Sequence, residues 1–353
     1  LTYAEFTSVL FREVQVLIFM HAAFDWLKRG LVALVAVALA TGCSGYFLAD
    51  ADVHPWDVIQ VPVDATLSDI AFGEDDNHGW IVGSRNTLLE THDGGGTWQV
   101  RELSTGDQPY TFTSVDFDGG EGWVTGIPSV LLHTADSGKT WESLPLSKEL
   151  PGSPFLITAL GPKSAEMATD IGAIYKTEDG GRTWKALVQG AVGVVRNMVR
   201  SDDGRYVAVS SRGNFYSTWA PGQDQWIPHN RQNSRRLQNM GFDQDGKLWV
   251  IARGGQLRFS NSRSSDDFTE AISPEFGTSW GLLDMAFRTS DEVWVAGGGG
   301  DLLCSFDGGE TWFKDKSVGD VPSNFYKVKF LTPNKGFILG QEGTILRYQP
   351  DAA

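Results

Sequence analysis

A chain of 353 residues is longer than one hydrophobic core ordinarily reaches, so it is either several domains or a repeat architecture. Its 41% hydrophobic content, with 13 Trp and 20 Phe, is ample for a buried core, and 41 Gly supply the turns that many short strands require, which together describe a globular all-β composition. A formal net charge of −15, without any nucleic-acid motif, argues against nucleic acid as a partner.

Residues 1–42 form a signal region. The basic pair Lys28-Arg29, the apolar run 31–39 and the small residues that follow read as a secretory signal, and the run is too short to span a bilayer comfortably. Met20 opens a signal of ordinary form, so residues 1–19 are expected to lie upstream of the true start. Cys43, directly after Ala40-Thr41-Gly42, has the setting of a lipobox cysteine, although Ala40 stands where Leu is usual. Lipidation of Cys43 is the expectation, with a simple cleaved signal or an uncleaved anchor as the alternatives. Residues 43–52 read as a tether and 53–350 as repeats.

The repeats are marked by Thr91-His92-Asp93-Gly94-Gly95-Gly96-Thr97-Trp98, a Ser/Thr-x-Asp-x-Gly-x-Thr-Trp pattern that returns at 134–141, 177–184 and 305–312. Trp98, Trp141 and Trp184 stand 43 residues apart, and Trp312 lies three further steps of that size along the chain. Trp226 and Phe268 mark two worn copies between them, and Trp56 stands one step before Trp98. A period in the low forties with an aromatic mark is that of a β-propeller blade. Ahead of each mark lies a hairpin, such as Trp80-Ile81-Val82-Gly83 before Leu88-Leu89, and a short apolar strand expected to line the channel, such as Ile70-Ala71-Phe72. Seven such hairpins occur. The chain stops after the third strand of the seventh, while residues 56–63 have an aromatic mark but no strands before it, so the N-terminal strand should close a seven-bladed ring.

In the boxes, Asp93, Asp136, Asp179 and Asp307 are read as structural acceptors within a tight turn, and Trp98, Trp141, Trp184 and Trp312 as apolar wedges for the next sheet. One Asp per turn is too few oxygens for calcium. Gly297 to Gly300 precede no helix and no Lys-Ser/Thr, so they are a hairpin turn and no phosphate loop. The histidines at 21, 54, 78, 92, 133 and 229 show no ligand spacing along the chain, and no metal or cofactor is assigned. Cys304, in Leu302-Leu303-Cys304, reads as a buried strand thiol.

Arginine stands out. Residues 191–260 hold Arg196, Arg200, Arg205, Arg212, Arg231, Arg235, Arg236, Arg253 and Arg258 with Lys247, against five Asp and no Glu, a local charge of +5 in an acidic chain. Strand alternation puts Arg212, Arg231, Arg235, Arg236 and Arg253 on the end of the ring opposite the boxes. Arg205, in the turn Asp202-Asp203-Gly204-Arg205, belongs to the box end. Arg200 takes the place held by Phe117, Phe242 and Phe287 in other blades, which suggests selected charge or a paired buried cation. A partner with carboxylates or an anionic lipid headgroup fits planar bidentate donors; a solvated basic rim is the bland alternative.

Seven blades with Asp boxes, the signal ending Ala-Thr-Gly-Cys-Ser, and the runs Arg-Asn-Met-Val-Arg, Ser-Arg-Gly-Asn-Phe-Tyr and Asn-Ser-Arg-Arg-Leu resemble the photosystem II stability and assembly factor of cyanobacteria and chloroplasts over about residues 40–350. The resemblance implies a non-enzymatic chaperone on the lumenal side of the thylakoid membrane, engaging a newly made core subunit of the reaction centre and its early assembly intermediates. Its arginine patch would map onto Arg196, Arg200, Arg212, Arg231, Arg235, Arg236 and Arg253. Boxes are shared with sialidases, so a sialidase-like glycoside hydrolase is the competing reading, although that fold has six blades; a generic lipid-anchored scaffold is a third.

Overall fold

The computed structural model describes residues 48–103, 108–231, 234–263, 267–274 and 281–350. The signal region and Cys43 lie outside the described residues. Seven antiparallel sheets follow one another in sequence; six are meanders in which successive strands are hydrogen-bonded neighbours, and the seventh adds the first strand of the chain to its last three. Blade one runs from the inner strand Leu67–Phe72 through Gly79–Gly83 and Leu88–Thr91 to the outer strand Gln99–Val100. The second strand of every blade is covered on both faces by neighbouring sheets. That is why Gly79–Gly83, Tyr206–Ser210 and Leu248–Ala252 are buried throughout rather than on alternate residues.

The expected closure is present. Trp56–Gln60 pairs antiparallel with Thr344–Tyr348, Trp56 opposite Tyr348, as the outermost strand of blade seven. Its indole meets the edges of Trp294 at 5.3 Å and Tyr348 at 5.4 Å, so the seam between blades six and seven is sealed by a residue from the start of the chain.

A second stitch runs round the channel. A register shift in the inner strand between Leu67 and Asp69 recurs between Leu237 and Asn239 and between Leu282 and Asp284. Such a bulge re-aims a side chain. Here it turns a polar group toward the following blade: Asp69 Oδ2 accepts from Val115 N at 3.2 Å, Asp284 Oδ2 from Val328 N at 2.9 Å, and Asn239 Nδ2 donates to Asp284 Oδ1 at 2.8 Å.

The boxes fold as turns. Asp93 Oδ1 accepts from Thr97 N at 2.9 Å and Thr91 Oγ1 at 2.8 Å, and its Oδ2 accepts from Thr97 Oγ1 at 2.8 Å. Asp136, Asp179 and Asp307 repeat the pattern. The wedge direction differs from expectation, however. Trp98 donates Nε1 to Gly95 O of its own box and packs on Phe337 of blade seven; Trp141 packs on Trp80 of blade one and Trp184 on Trp123 of blade two. Each wedge thus seals the preceding blade. The reason is the closeness of the box backbone to that blade: a Cβ on Gly95 or Gly138 would lie within 2.6 Å of Phe337 or 2.3 Å of Trp80, so only glycine fits and the indole follows.

Two further expectations are corrected. Blade five does not end in a full outer strand: its sheet has three strands, and the segment beyond pairs only at Leu257–Ile272 and Ser260–Phe268. The tether also does not extend to residue 52. Asp50 bridges Lys314 in parallel, with Lys314 N bonded to Ala49 O at 2.9 Å and Ala51 N to Lys314 O at 3.0 Å, so residues 49–51 already lie along the outer strand of blade six.

These hydrogen bonds make a pH prediction. The carboxyls of Asp93 and Asp136 are held down from 3.8 to about 2, first by the threonine N–H and next by its hydroxyl; at Asp179 and Asp307 the order of the two is reversed. A depressed folded value means that the stabilisation is complete above the unfolded pKa and is lost as pH falls through the folded one. The melting temperature should therefore drop between about pH 4 and pH 2, and the Asp136→Asn/Asp179→Asn variant should melt lower at neutral pH with a shallower acid slope.

Candidate protein-binding surface

In these meanders the turn between second and third strands and the connection between blades emerge at one end of the ring; first-to-second turns and boxes emerge at the other. Arg212 lies in the second-to-third turn of blade four, Arg253 in that of blade five, and Arg231, Arg235 and Arg236 in the connection between them. Arg196 opens the inner strand Val195–Arg200 at the same end.

Main-chain bonds draw these segments together. Leu237 N bonds Gly213 O at 2.9 Å and Arg253 N bonds Arg236 O at 2.9 Å, which fastens both turns to the connection. Arg235 Nη1 donates to Arg253 O at 3.1 Å and Arg196 Nη1 to Leu237 O at 3.0 Å. Gly254, with φ +81°, leaves the room for Arg235 to cross: a Cβ there would sit 2.2 Å from its Nη1. Burial, and then the charge of Arg253, push Arg196 below its ordinary pKa. Arg212, Arg235, Arg236 and Arg253 are exposed; Arg231 is half-buried where the outer strand Ile227–Asn230 ends.

Charge is locally unbalanced in this cluster. Among the described residues, Arg196, Arg212, Arg236 and Arg253 have no carboxylate partner. At the box end, Arg205 pairs with Asp203 at 2.9 Å and Arg263 with the same carboxylate at 3.6 Å, while Arg258, on the third strand of blade five, lies over the ring of Phe268. The channel is self-neutralised in part, Lys329 meeting Asp69 at 3.1 Å within a cavity of about 510 Å³.

Arg200 does not join the cluster. It ends its inner strand at the box end, with Nε 2.8 Å from Glu166 Oε1 of blade three, and Tyr206 Oη donates to the same oxygen at 2.7 Å. In two other seams that position holds a Phe stacked on an aromatic ring of the preceding blade, Phe117 on Trp80 and Phe72 on Phe337. By strand register Glu166 stands where Trp80 stands in blade one. An aromatic pair and an ion pair are therefore alternative ways of filling this position between two blades. Burial, with Glu166 beside it, pushes the Tyr206 phenol well above its ordinary pKa, which keeps it a donor. The sequence signal was Glu166 itself, a charge in the register of Trp80, Trp123, Trp249 and Trp294.

Comparison with known proteins follows the same lines. Residues 48–349 match the family model described as photosynthesis system II assembly factor YCF48. The chain belongs to this family. A photosystem II assembly lipoprotein Ycf48 from Trichormus variabilis is 58% identical over 320 residues, 91% of this chain and 94% of the relative. The Synechocystis protein of the same name is 56% identical over 333 residues, 94% and 96% of the two chains. A solved structure described as YCF48 bound to D1 peptide superposes with a TM-score of 0.84 at 55% identity, covering 87% of this chain and 98% of that one. YCF48 from Cyanidioschyzon merolae gives 0.79 at 41%, covering 85% and 100%. Membership of the Ycf48 family sets aside the sialidase-like reading.

The Glu166–Arg200 pair is 8% and 14% exposed at its side chains, buried enough for removal of one partner to leave an uncompensated charge. Glu166→Ala should destabilise the fold by about 3–5 kcal/mol in denaturant unfolding. Glu166→Leu combined with Arg200→Phe and Tyr206→Phe, which restores an apolar seam without leaving the buried Tyr206 hydroxyl unpaired, should recover most of that loss.

Proposed function

We propose that this chain is a non-enzymatic assembly factor of photosystem II, which holds a newly made core subunit of the reaction centre, and early intermediates containing it, through the arginine end of the propeller. The observation that carries the reading is the clustering at one end of the ring of Arg196, Arg212, Arg236 and Arg253, which have no carboxylate partner among the described residues, in a chain whose net charge is −15. Family membership supports it, as does a relative solved with a D1 peptide. The contact residues proposed are Arg196, Arg212, Arg231, Arg235, Arg236 and Arg253, with Arg200 holding the seam beneath them. Guanidinium forks match carboxylates in plane and bidentately, so an acidic segment of D1 is the fitting ligand. The boxes, whose carboxylate oxygens are spent on their own turns, supply stability and no chemistry.

Losing one desolvated arginine of such a face costs on the order of 2 to 5 kcal/mol, whereas rim charges mainly alter on-rate and salt dependence. Arg212→Glu with Arg236→Glu should therefore release D1-containing intermediates in a pull-down while leaving the melting temperature nearly unchanged, and binding by the parent should weaken as salt is raised. Arg205→Glu, at the box end, is the control. Equal loss in the control, or normal binding by the double variant at physiological salt, would overturn the reading.

The proposed location is the lumenal side of the thylakoid membrane, held by lipid on Cys43. The relatives' description as lipoproteins supports an anchor. Mass spectrometry of the mature N-terminus should find diacylglycerol on Cys43, and Cys43→Ala should move the protein to the soluble fraction; an unmodified terminus at another residue would refute the anchor.

A further inference from the structure

The box end of blade one gathers a group unlike any other among the described residues. Gly79 pairs with Thr91 and Trp80 with Glu90, so the same register sets His78 opposite His92. Side chains alternate along a strand, which puts His78, Glu90 and His92 on one face of the hairpin. Both imidazoles turn Nε2 to a single oxygen: His78 Nε2 lies 2.9 Å and His92 Nε2 3.3 Å from Glu90 Oε1, and the two rings stack 4.5 Å apart. The three donor atoms all lie within 4.8 Å of one another. A tetrahedral ion with bonds of about 2.0–2.1 Å holds its ligands roughly 3.3 Å apart, close to the spacing found here.

We propose that His78, Glu90 and His92 bind one divalent transition-metal ion of the zinc class. Two imidazoles and one carboxylate suit such an ion, whereas calcium and magnesium take oxygen ligands. Arg101 Nη1 forms an ion pair at 3.8 Å with the other carboxylate oxygen, Glu90 Oε2, and leaves Oε1 to the histidines. The exposed run Glu74-Asp75-Asp76 in the adjoining turn attracts a cation, and His78 also lines a cavity of about 420 Å³ with Gly73, Glu74, Asp75 and Ser137, through which a hydrated ion can arrive. Blade two shows the contrast. There Glu121 and Glu142 take the two ring nitrogens of His133, at 2.7 and 3.2 Å, and a single imidazole between two carboxylates closes on itself. Spacing along the chain hides the blade-one group because strand register unites it. The bound ion would fasten the first turn of blade one to its box, at the end of the ring away from the arginines.

The test uses untagged protein and Zn²⁺ alone. Calorimetric titration should give one strong site per chain and the ion should raise the melting temperature; cobalt loaded in its place should show the visible spectrum of a four- or five-coordinate site. Mutating an outer-shell partner of a metal typically costs about 10–100-fold in affinity, so His92→Ala, which removes an exposed ligand with little risk to folding, should weaken binding at least about tenfold. Glu90→Gln should also weaken it, and His133→Ala should not. Absence of a stoichiometric site in the parent, or a His92→Ala variant that binds like the parent, overturns the proposal.

Discussion

A propeller blade has two apolar faces and no means of covering either alone, so everything in this molecule depends on how one sheet is sealed against the one before it. The box turn supplies the seal. Its aspartate is saturated by its own threonines, its second glycine lets the backbone touch the neighbouring aromatic ring, and its tryptophan is carried onto that ring. The box end is consequently spent on construction. The opposite end, made of second-to-third turns and blade connections, is tied by main-chain bonds that leave its side chains to carry charge, and there Arg196, Arg212, Arg235, Arg236 and Arg253 stand.

Where the usual seal is missing, the substitute is local and paired. The seam between blades three and four exchanges an aromatic stack for Glu166, Arg200 and Tyr206, three polar groups that satisfy one another. A buried ion pair is weak evidence for stability, since a well-packed apolar pair serves as well. Geometry is what it retains: the inner strand of blade four stays fixed at the box end while Arg196, at the strand's other end, reaches toward the arginine face.

Much of this was legible in the sequence because a repeat multiplies each weak signal. The 43-residue spacing of Trp98, Trp141 and Trp184 gave the blades, and the unmatched strand at residues 56–63 implied the closure found between Trp56 and Tyr348. Alternation of turns along a meander assigned Arg212 and Arg253 to one end. Arg200 was harder, because its role depends on Glu166, 34 residues away and visible only once register aligns it with Trp80. The His78 and His92 pair was hidden for the same reason: ligand motifs are read along the chain, and these residues meet across it. The attachment of residues 49–51 to blade six has no pattern that a sequence scan would recognise, since a parallel bridge of one residue pair carries no periodicity.

Closure by the first strand also sets an order of events during synthesis. Blades one to six are each assembled from consecutive residues and can fold as they emerge. The seventh cannot, because Trp56–Gln60 waits for Thr344–Tyr348, and Gln349 reaches back to Asp57 across 292 positions. The folded blades between them already curve the two segments toward each other, and the junction is sealed by a complete seam of buried tryptophan and tyrosine. Until the last residues arrive, the molecule is an open arc with an uncovered sheet face at each end, and it becomes a ring in a single late step.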